Sequence, residues 1–247
     1  IKADGHDVRS PGHGAVGQVG EMGRLLSLGA APDFEGAKPW LDIFDAGNMF
    51  TGRDPDRIRE NARRHRELYP IGQKPWVGSV SIGYWRPEIS VYASQEGTRT
   101  FRDAWRAVMD SGIRWVQQAT WNDFSENHGI MPSENYGTVY CDLNRHMVTA
   151  WKGVTPEPEK PEFYLSRMQE VLTGETAIFE LCAVLSRRHL PARLEFSLHD
   201  ARATPHRTFD PVEITSPGVQ AHAFAAPMDR MPEGRLLFPS ARLITAQ

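Results

Sequence analysis

Residues 154–162, Val-Thr-Pro-Glu-Pro-Glu-Lys-Pro-Glu, separate two hydrophobic rhythms that one kind of element cannot satisfy. Proline and charge alternate there, which removes backbone donors and favours an extended, solvated chain. Before this stretch, strand-like apolar runs alternate with helix-like periodicity. After it, apolar side chains recur at every second residue, the pattern of half-buried strands. The chain therefore reads as a poorly defined segment 1–38, an α/β part over 39–153, a Pro-rich linker over 154–162 and an all-β part over 163–247.

In the α/β part, Trp40 to Phe44 predicts a buried strand, with Asp45 to Phe50 as the loop beyond its C-terminal end. Asp54 and Pro55 mark a helix start, N-cap and first turn, for a helix running to about Tyr69. Pro75 to Ile82 predicts the next strand, opening into Gly83 to Pro87. Thr100 and Asp103 resemble a capping box, and Phe101, Ala104, Trp105 and Val108 fall on one helical face. Ile113 to Ala119 predicts a third strand. Val139 to Trp151 predicts a last helix with Leu143, Met147 and Ala150 on one side and Gly153 at its end. Such alternation calls for parallel strands with helical crossovers, and it serves a barrel and an open sheet equally well.

Beyond the linker, Ala177 to Leu181, Ala192 to Leu198, Val212 to Ile214 and Gln220 to Phe224 show two-residue alternation, with Arg235 to Phe238 and Arg242 to Ile244 closing the set. Short alternating strands separated by turn signals predict a small antiparallel β-sandwich. At the other end, Gly12 to Gly17 formally matches G-x-G-x-x-G, but the polar residues and Pro11 before it are not the hydrophobic strand a phosphate-cradling loop follows. His6, Asp7 and His13 lack a third ligand at a fitting spacing. One helix is expected near Gln18 to Leu28.

Of 247 residues, 40% are hydrophobic and 24% charged, within the ordinary range for globular chains. A net charge of −3 gives no electrostatic reason to expect nucleic acid or an anionic membrane as partner. No apolar run reaches the roughly 20 residues of a spanning helix. Cys141 and Cys182 show no metal-ligand spacing and read as free thiols.

The chemistry concentrates after the third strand. Thr120 to Gly129, Thr-Trp-Asn-Asp-Phe-Ser-Glu-Asn-His-Gly, gathers carboxylates, amides, an imidazole and aromatic rings at a strand end, where α/β enzymes place their sites. Asp123 and Glu126 lie three residues apart, so one tight turn aims both at a common pocket. Two carboxylates on one wall suit acid and base work on a glycosidic bond; the competing reading makes Asp123 a turn cap and Glu126 a solvated side chain.

Thr120 to His128 resembles the T-W-N-[DE]-[YFW]-x-E-x-H segment of the α-1,3-glucanases (mutanases, glycoside hydrolase family seventy-one) and of the related endo-α-mannosidase-like family ninety-nine. Met131-Pro132-Ser133-Glu134-Asn135-Tyr136-Gly137 is similar to the latter's L-E-P-S-x-E-Y-G. The chain departs at Ser125, where the glucanases usually have Gly, and at Gly129, where they usually have an aromatic.

The resemblance implies an α/β fold in which residues 39–153 form the C-terminal portion of a (β/α)8 TIM-type barrel, followed by the β-sandwich. It implies cleavage of an α-linked polysaccharide or oligosaccharide, α-1,3-glucan-like, with Asp123 and Glu126 as the catalytic pair, inversion at the anomeric carbon, no cofactor or metal, and a secreted or periplasmic setting. Glu126 is expected as general acid, with Trp121 and Phe124 supplying apolar surroundings, and Asp123 as base toward water or a sugar hydroxyl. Asn122 and His128 are expected to bind substrate or orient the acids. Trp121, Tyr84 and Trp85 are candidate sugar platforms, Asp45 and Asn48 are placed at a neighbouring strand end, and Glu134 and Tyr136 are placed on the cleft wall. The alternatives are a non-catalytic carbohydrate-binding or scaffold protein and an endo-α-mannosidase-like hydrolase.

Overall fold

The structure, a computed structural model, describes residues 18–21, 24–31, 34–70, 73–167, 171, 174–228 and 237–246. Gly12 to Gly17, His6, Asp7 and His13 lie outside the described residues. The chain divides into two compact units, Ile1–Met131 and Pro132–Gln247.

The first unit runs β1 (Gln18–Glu21), β2 (Arg24–Ala31), α1 (Phe34–Ala37), β3 (Ala46–Met49), α2 (Pro55–Leu68), β4 (Trp76–Val80), β5 (Tyr84–Arg86), β6 (Val91–Ala93), α3 (Arg99–Asp110) and β7 (Trp115–Gln118). One sheet has the order β1-β2-β3-β4-β7. Its β2, β3, β4 and β7 are parallel, and β1 adds an antiparallel edge. Every residue of β3 and β4 is buried, as expected of parallel strands covered on both faces.

Local chemistry explains the helices. Asp54 accepts from the amides of Asp56 at 2.9 Å and Arg57 at 3.2 Å, and Pro55 opens α2, which buries Ile58, Asn61, Ala62 and His65. In α3 the face of Phe101, Ala104, Trp105 and Val108 is buried as its spacing requires. No capping box forms at Thr100 and Asp103, because the helix begins at Arg99; the Thr100 hydroxyl donates instead to the Ser94 carbonyl at 2.7 Å.

Three expectations are corrected. Residues 18–21 and 24–28 lie in antiparallel strands, not a helix: Gly20 and Gly23 weaken any helix by about 1 kcal/mol each, and β3 offers Leu28 to Ala31 of β2 a parallel ladder. Trp40 to Phe44 is not a strand. Lys38–Trp40 is a 3-10 turn, the Ile43 and Phe44 amides both donate to the Trp40 carbonyl, and Ile43 is 70% exposed. The strand starts five residues beyond Leu41 at Ala46, where Gly47 lets Leu41 and the Trp76 ring close over it. A Cβ there would come within 2.6 Å of Leu41 Cδ2 and 2.8 Å of the Trp76 ring.

The third correction is the barrel. Among the described residues there are four α-helices and one parallel run of four strands in an open, mixed sheet, with no closure. Closing a sheet of this kind requires eight staggered strands. The barrel was an implication of the resemblance; the strand-helix rhythm is met by an open sheet.

The second unit runs α4 (Val139–Trp151), β8 (Glu162–Arg167), β9 (Thr176–Leu185), β10 (Ala192–His199), β11 (Pro205–Thr208), β12 (Val212–Ile214), β13 (Gly218–Pro227) and β14 (Phe238–Thr245). Antiparallel sheets β13-β9-β8 and β11-β10-β12, with β14 also on β10, share a core of Phe179, Leu181, Leu185, Leu194, Phe196, Leu198 and Phe224. The Phe196 ring lies 5.1 Å from Phe179, 5.2 Å from Phe209 and 5.0 Å from Phe224. Residues 154–162 run from α4 to β8 inside this unit. Arg188 donates to the carbonyls of Pro158, at 3.1 Å, and Glu159, and the Arg187 amide donates to Glu157. Cys141 and Cys182 are free thiols, and among the described residues no helix is long and apolar enough to cross a membrane.

Candidate functional site

Three loops meet beyond the carboxyl ends of β3, β4 and β7, where open α/β sheets bind ligands. The Ser81 amide donates to the Gly52 carbonyl at 2.9 Å, joining the first loop to the second. Gly52 is required for this approach, since a Cβ would lie 2.1 Å from the Ser79 carbonyl oxygen. The second loop reaches the third where the Trp85 amide donates to the Glu126 carbonyl at 3.0 Å and the Gln95 side-chain Nε2 donates to the Asn127 carbonyl at 3.3 Å.

The third loop folds on itself. The Thr120 amide donates to the His128 carbonyl, the Ile130 amide to Thr120 and the Met131 amide to Trp121, while the Asp123 amide donates to the Thr120 hydroxyl. Gly129 packs against this turn so closely that a Cβ would sit 3.1 Å from the Asp123 nitrogen and 3.2 Å from the Trp121 carbonyl oxygen. An aromatic residue at this position would have to displace the segment that presents Asp123.

His128 is the hub. Its ring is fully buried, stands edge-on to Tyr84 at 5.5 Å, and has Nε2 3.1 Å from Asp123 Oδ2 and 3.4 Å from Glu126 Oε2. A proton on Nε2 lets the imidazole donate to Asp123. Asp123 Oδ1 also accepts from the Ser125 hydroxyl at 2.7 Å and the Glu126 amide at 3.2 Å. The Ser125 hydrogen bond is the largest cause holding the Asp123 carboxyl below its usual range; with His128 and the Glu126 amide it outweighs the opposing effect of desolvation. Glu126 Oε1 accepts from Arg86 Nη1 at 2.9 Å. Burial first, and the hydrogen bond with Glu126 second, raise the Tyr84 phenol. Arg53, from the loop after β3, lies over the Tyr84 ring with Cζ 4.9 Å from its centroid.

The carboxylates are thus neither buried in separate ion pairs nor fully solvated: the Asp123 side chain is 33% exposed and that of Glu126 21%. One oxygen of each and a His128 nitrogen lie within 4.8 Å of one another, which would also admit a divalent cation. The Arg86 guanidinium already supplies positive charge to Glu126 and opposes a cation on the same carboxylate.

Asp123, Glu126, His128 and Tyr84 are brought together here. Trp121 and Phe124, expected to give Glu126 apolar surroundings, are each 52% exposed, and Asn122 is exposed beside them. Trp85 contributes its backbone amide. In the β5–β6 ribbon its side chain alternates with Tyr84 and Arg86, so it lies on the opposite face, cross-strand from Tyr92. Asp45 and Asn48 are not at the carboxyl end of a strand. Asp45 precedes β3 and is exposed, whereas Asn48 is inside β3, 1% exposed, donating to the Val77 carbonyl at 3.0 Å. The misplaced strand at Trp40 to Phe44 caused this error. Glu134 and Tyr136 belong to the second unit, where the Tyr136 ring packs on Tyr140 at 5.3 Å.

Sequence reasoning missed Arg53 and Arg86 and saw Ser125 only as a departure. Arg86 had a signal: it is two residues from Tyr84 in a short strand and so shares its face. Arg53 had none, since it arrives from a different loop.

No family model matches the chain, and no curated protein matches it.

Proposed function

We propose that this chain is a glycoside hydrolase acting on an α-linked polysaccharide or oligosaccharide through Asp123 and Glu126. The observation that carries the reading is the convergence of both partly exposed carboxylates on one buried imidazole nitrogen beyond the sheet's carboxyl edge. His128 orients the pair. Asp123, held as an anion by three donors, suits the base or nucleophile, acting on the anomeric carbon, a water or a neighbouring sugar hydroxyl. Glu126 takes the remaining role, proton delivery to the leaving oxygen.

The approach of the two carboxylates within 4.8 Å favours retaining or hydroxyl-assisted chemistry. Inverting pairs stand about 6.5 to 9.5 Å apart to admit a water between them. A second reading, a non-catalytic carbohydrate-binding protein, draws support from the Arg86 bond that occupies Glu126 in the free protein.

The pH profile tests the assignment of Asp123. A base must be ionised to act, so the acid limb of kcat/KM follows Asp123 and is expected below its ordinary value of about 3.9. Ser125→Ala removes the strongest of the hydrogen bonds that favour the anion, raises the Asp123 pKa and moves that limb to higher pH. An unmoved limb, or one shifted to lower pH, contradicts the assignment.

A further inference from the structure

The two guanidiniums nearest Glu126 are unequally partnered. Arg86 donates to Glu126 from one side at 2.9 Å, and Arg53, a second guanidinium, is attracted to the same carboxylate. The Arg53 Nη1 is buried and has no hydrogen-bond partner among the described residues. Arg57, on the first turn of α2, is close enough to disfavour further positive charge on Arg53.

The neighbouring acids are engaged elsewhere. Asp54 accepts the first amides of α2, Asp56 meets Arg59 at 3.3 Å, and Asp123 is satisfied by Ser125, His128 and a backbone amide. Glu88 is 3.9 Å from Arg86 Nε, a loose contact between exposed side chains. Glu126 is hydrogen-bonded to Arg86, while Arg53, near enough to feel the same carboxylate but in no ion pair with it among the described residues, keeps a buried donor unmatched. A buried donor without an acceptor is costly, and guanidinium forks match planar or tetrahedral oxyanions.

We infer that Arg53 and Arg86 receive an oxyanion carried by the substrate, a carboxylate or a sulfate ester on the sugar. The substrate class becomes an acidic α-linked glycan. When the oxyanion engages Arg86, the guanidinium turns from Glu126, whose freed carboxylate takes up a proton from water and can pass it to the leaving oxygen; this consequence, unlike the binding itself, rests on the hydrolase reading above. Substrate charge would then release the acid that the free protein holds in an ion pair.

Equilibrium binding to the whole chain tests this with three α-linked oligosaccharides of equal length: one of hexuronic acids, one sulfated and one unsubstituted. A charge-assisted hydrogen bond is worth enough to make the favoured acidic ligand bind about tenfold or more tightly than the neutral one. The advantage shrinks with added salt and is lost in Arg53→Gln and in the exposed Arg86→Gln. Arg53→Lys keeps charge without the fork and recovers only part of it. The uronate and sulfate arms identify which oxyanion is read. Equal or tighter binding of the neutral ligand, or variants that weaken all three ligands alike, overturns the inference. An acidic oligosaccharide that binds but is never cleaved removes the hydrolase reading and leaves the oxyanion site standing. Cleavage of the neutral ligand with no preference for charge does the reverse.

Discussion

Glu126→Gln is expected to slow hydrolysis of an unactivated glycan by about a hundred- to ten-thousand-fold, the usual contribution of a general acid. The amide keeps the shape of the side chain and still offers an oxygen to Arg86 Nη1, which now lies 2.9 Å from Glu126 Oε1, but it has no proton to transfer to the leaving oxygen. The backbone contacts of residue 126, its carbonyl to the Trp85 amide and its amide to Asp123, are indifferent to the change. An aryl glycoside leaves without protonation and should lose far less. Comparing initial rates on the two substrates separates the proton from the fold: equal losses on both would remove Glu126 from the acid role.

The second large effect concerns the β-sheet unit. Phe196 is 2% exposed and touches three other rings, so Phe196→Ala deletes the centre of the Phe179, Phe209 and Phe224 cluster. A truncation of this kind costs about 3 to 5 kcal/mol through lost transfer energy and the cavity left behind. That is a large share of the stability of a domain of this size. In denaturant titration the transition of this unit should move to a markedly lower midpoint. Because the chain has two compact units, it is to be read as its own transition. A change below about 1 kcal/mol would show that the two sheets do not share this core.

What could be read from the sequence was local. Asp54 and Pro55 announced α2 because capping chemistry is contained within four residues, and the alternation of β10 was visible because one face of that strand is buried and the other is not. The strands β1 and β2 and the start of β3 were misread because partners distant in sequence decide them: β2 is a strand because β3 lies beside it, and Ala46 rather than Trp40 starts β3 because Leu41 and Trp76 close over Gly47.

The same division holds in the site. Asp123, Glu126 and His128 lie within six residues, and a tight turn was enough to join them. Tyr84 was named only as a possible sugar platform and Arg86 not at all, and Arg53 comes from a third loop; their arrival depends on the Ser81 to Gly52 and Trp85 to Glu126 backbone bonds, which no local pattern announces. The barrel failed for a related reason, since closure is a property of the whole sheet and not of any strand-helix repeat.

The central claim is that Asp123 and Glu126 together cleave a glycosidic bond. It is tested most directly by the release of new reducing ends from α-1,3-glucan, α-mannan and acidic α-linked oligosaccharides, comparing the wild-type chain with Asp123→Asn. The account predicts steady release from at least one of these by the wild-type protein. It predicts a loss of about a hundredfold or more in the variant, whichever leaving group is present, because the anion held by Ser125 and His128 is needed for every substrate. Equal release by the variant, or none from any of these glycans by the wild-type protein, would contradict it.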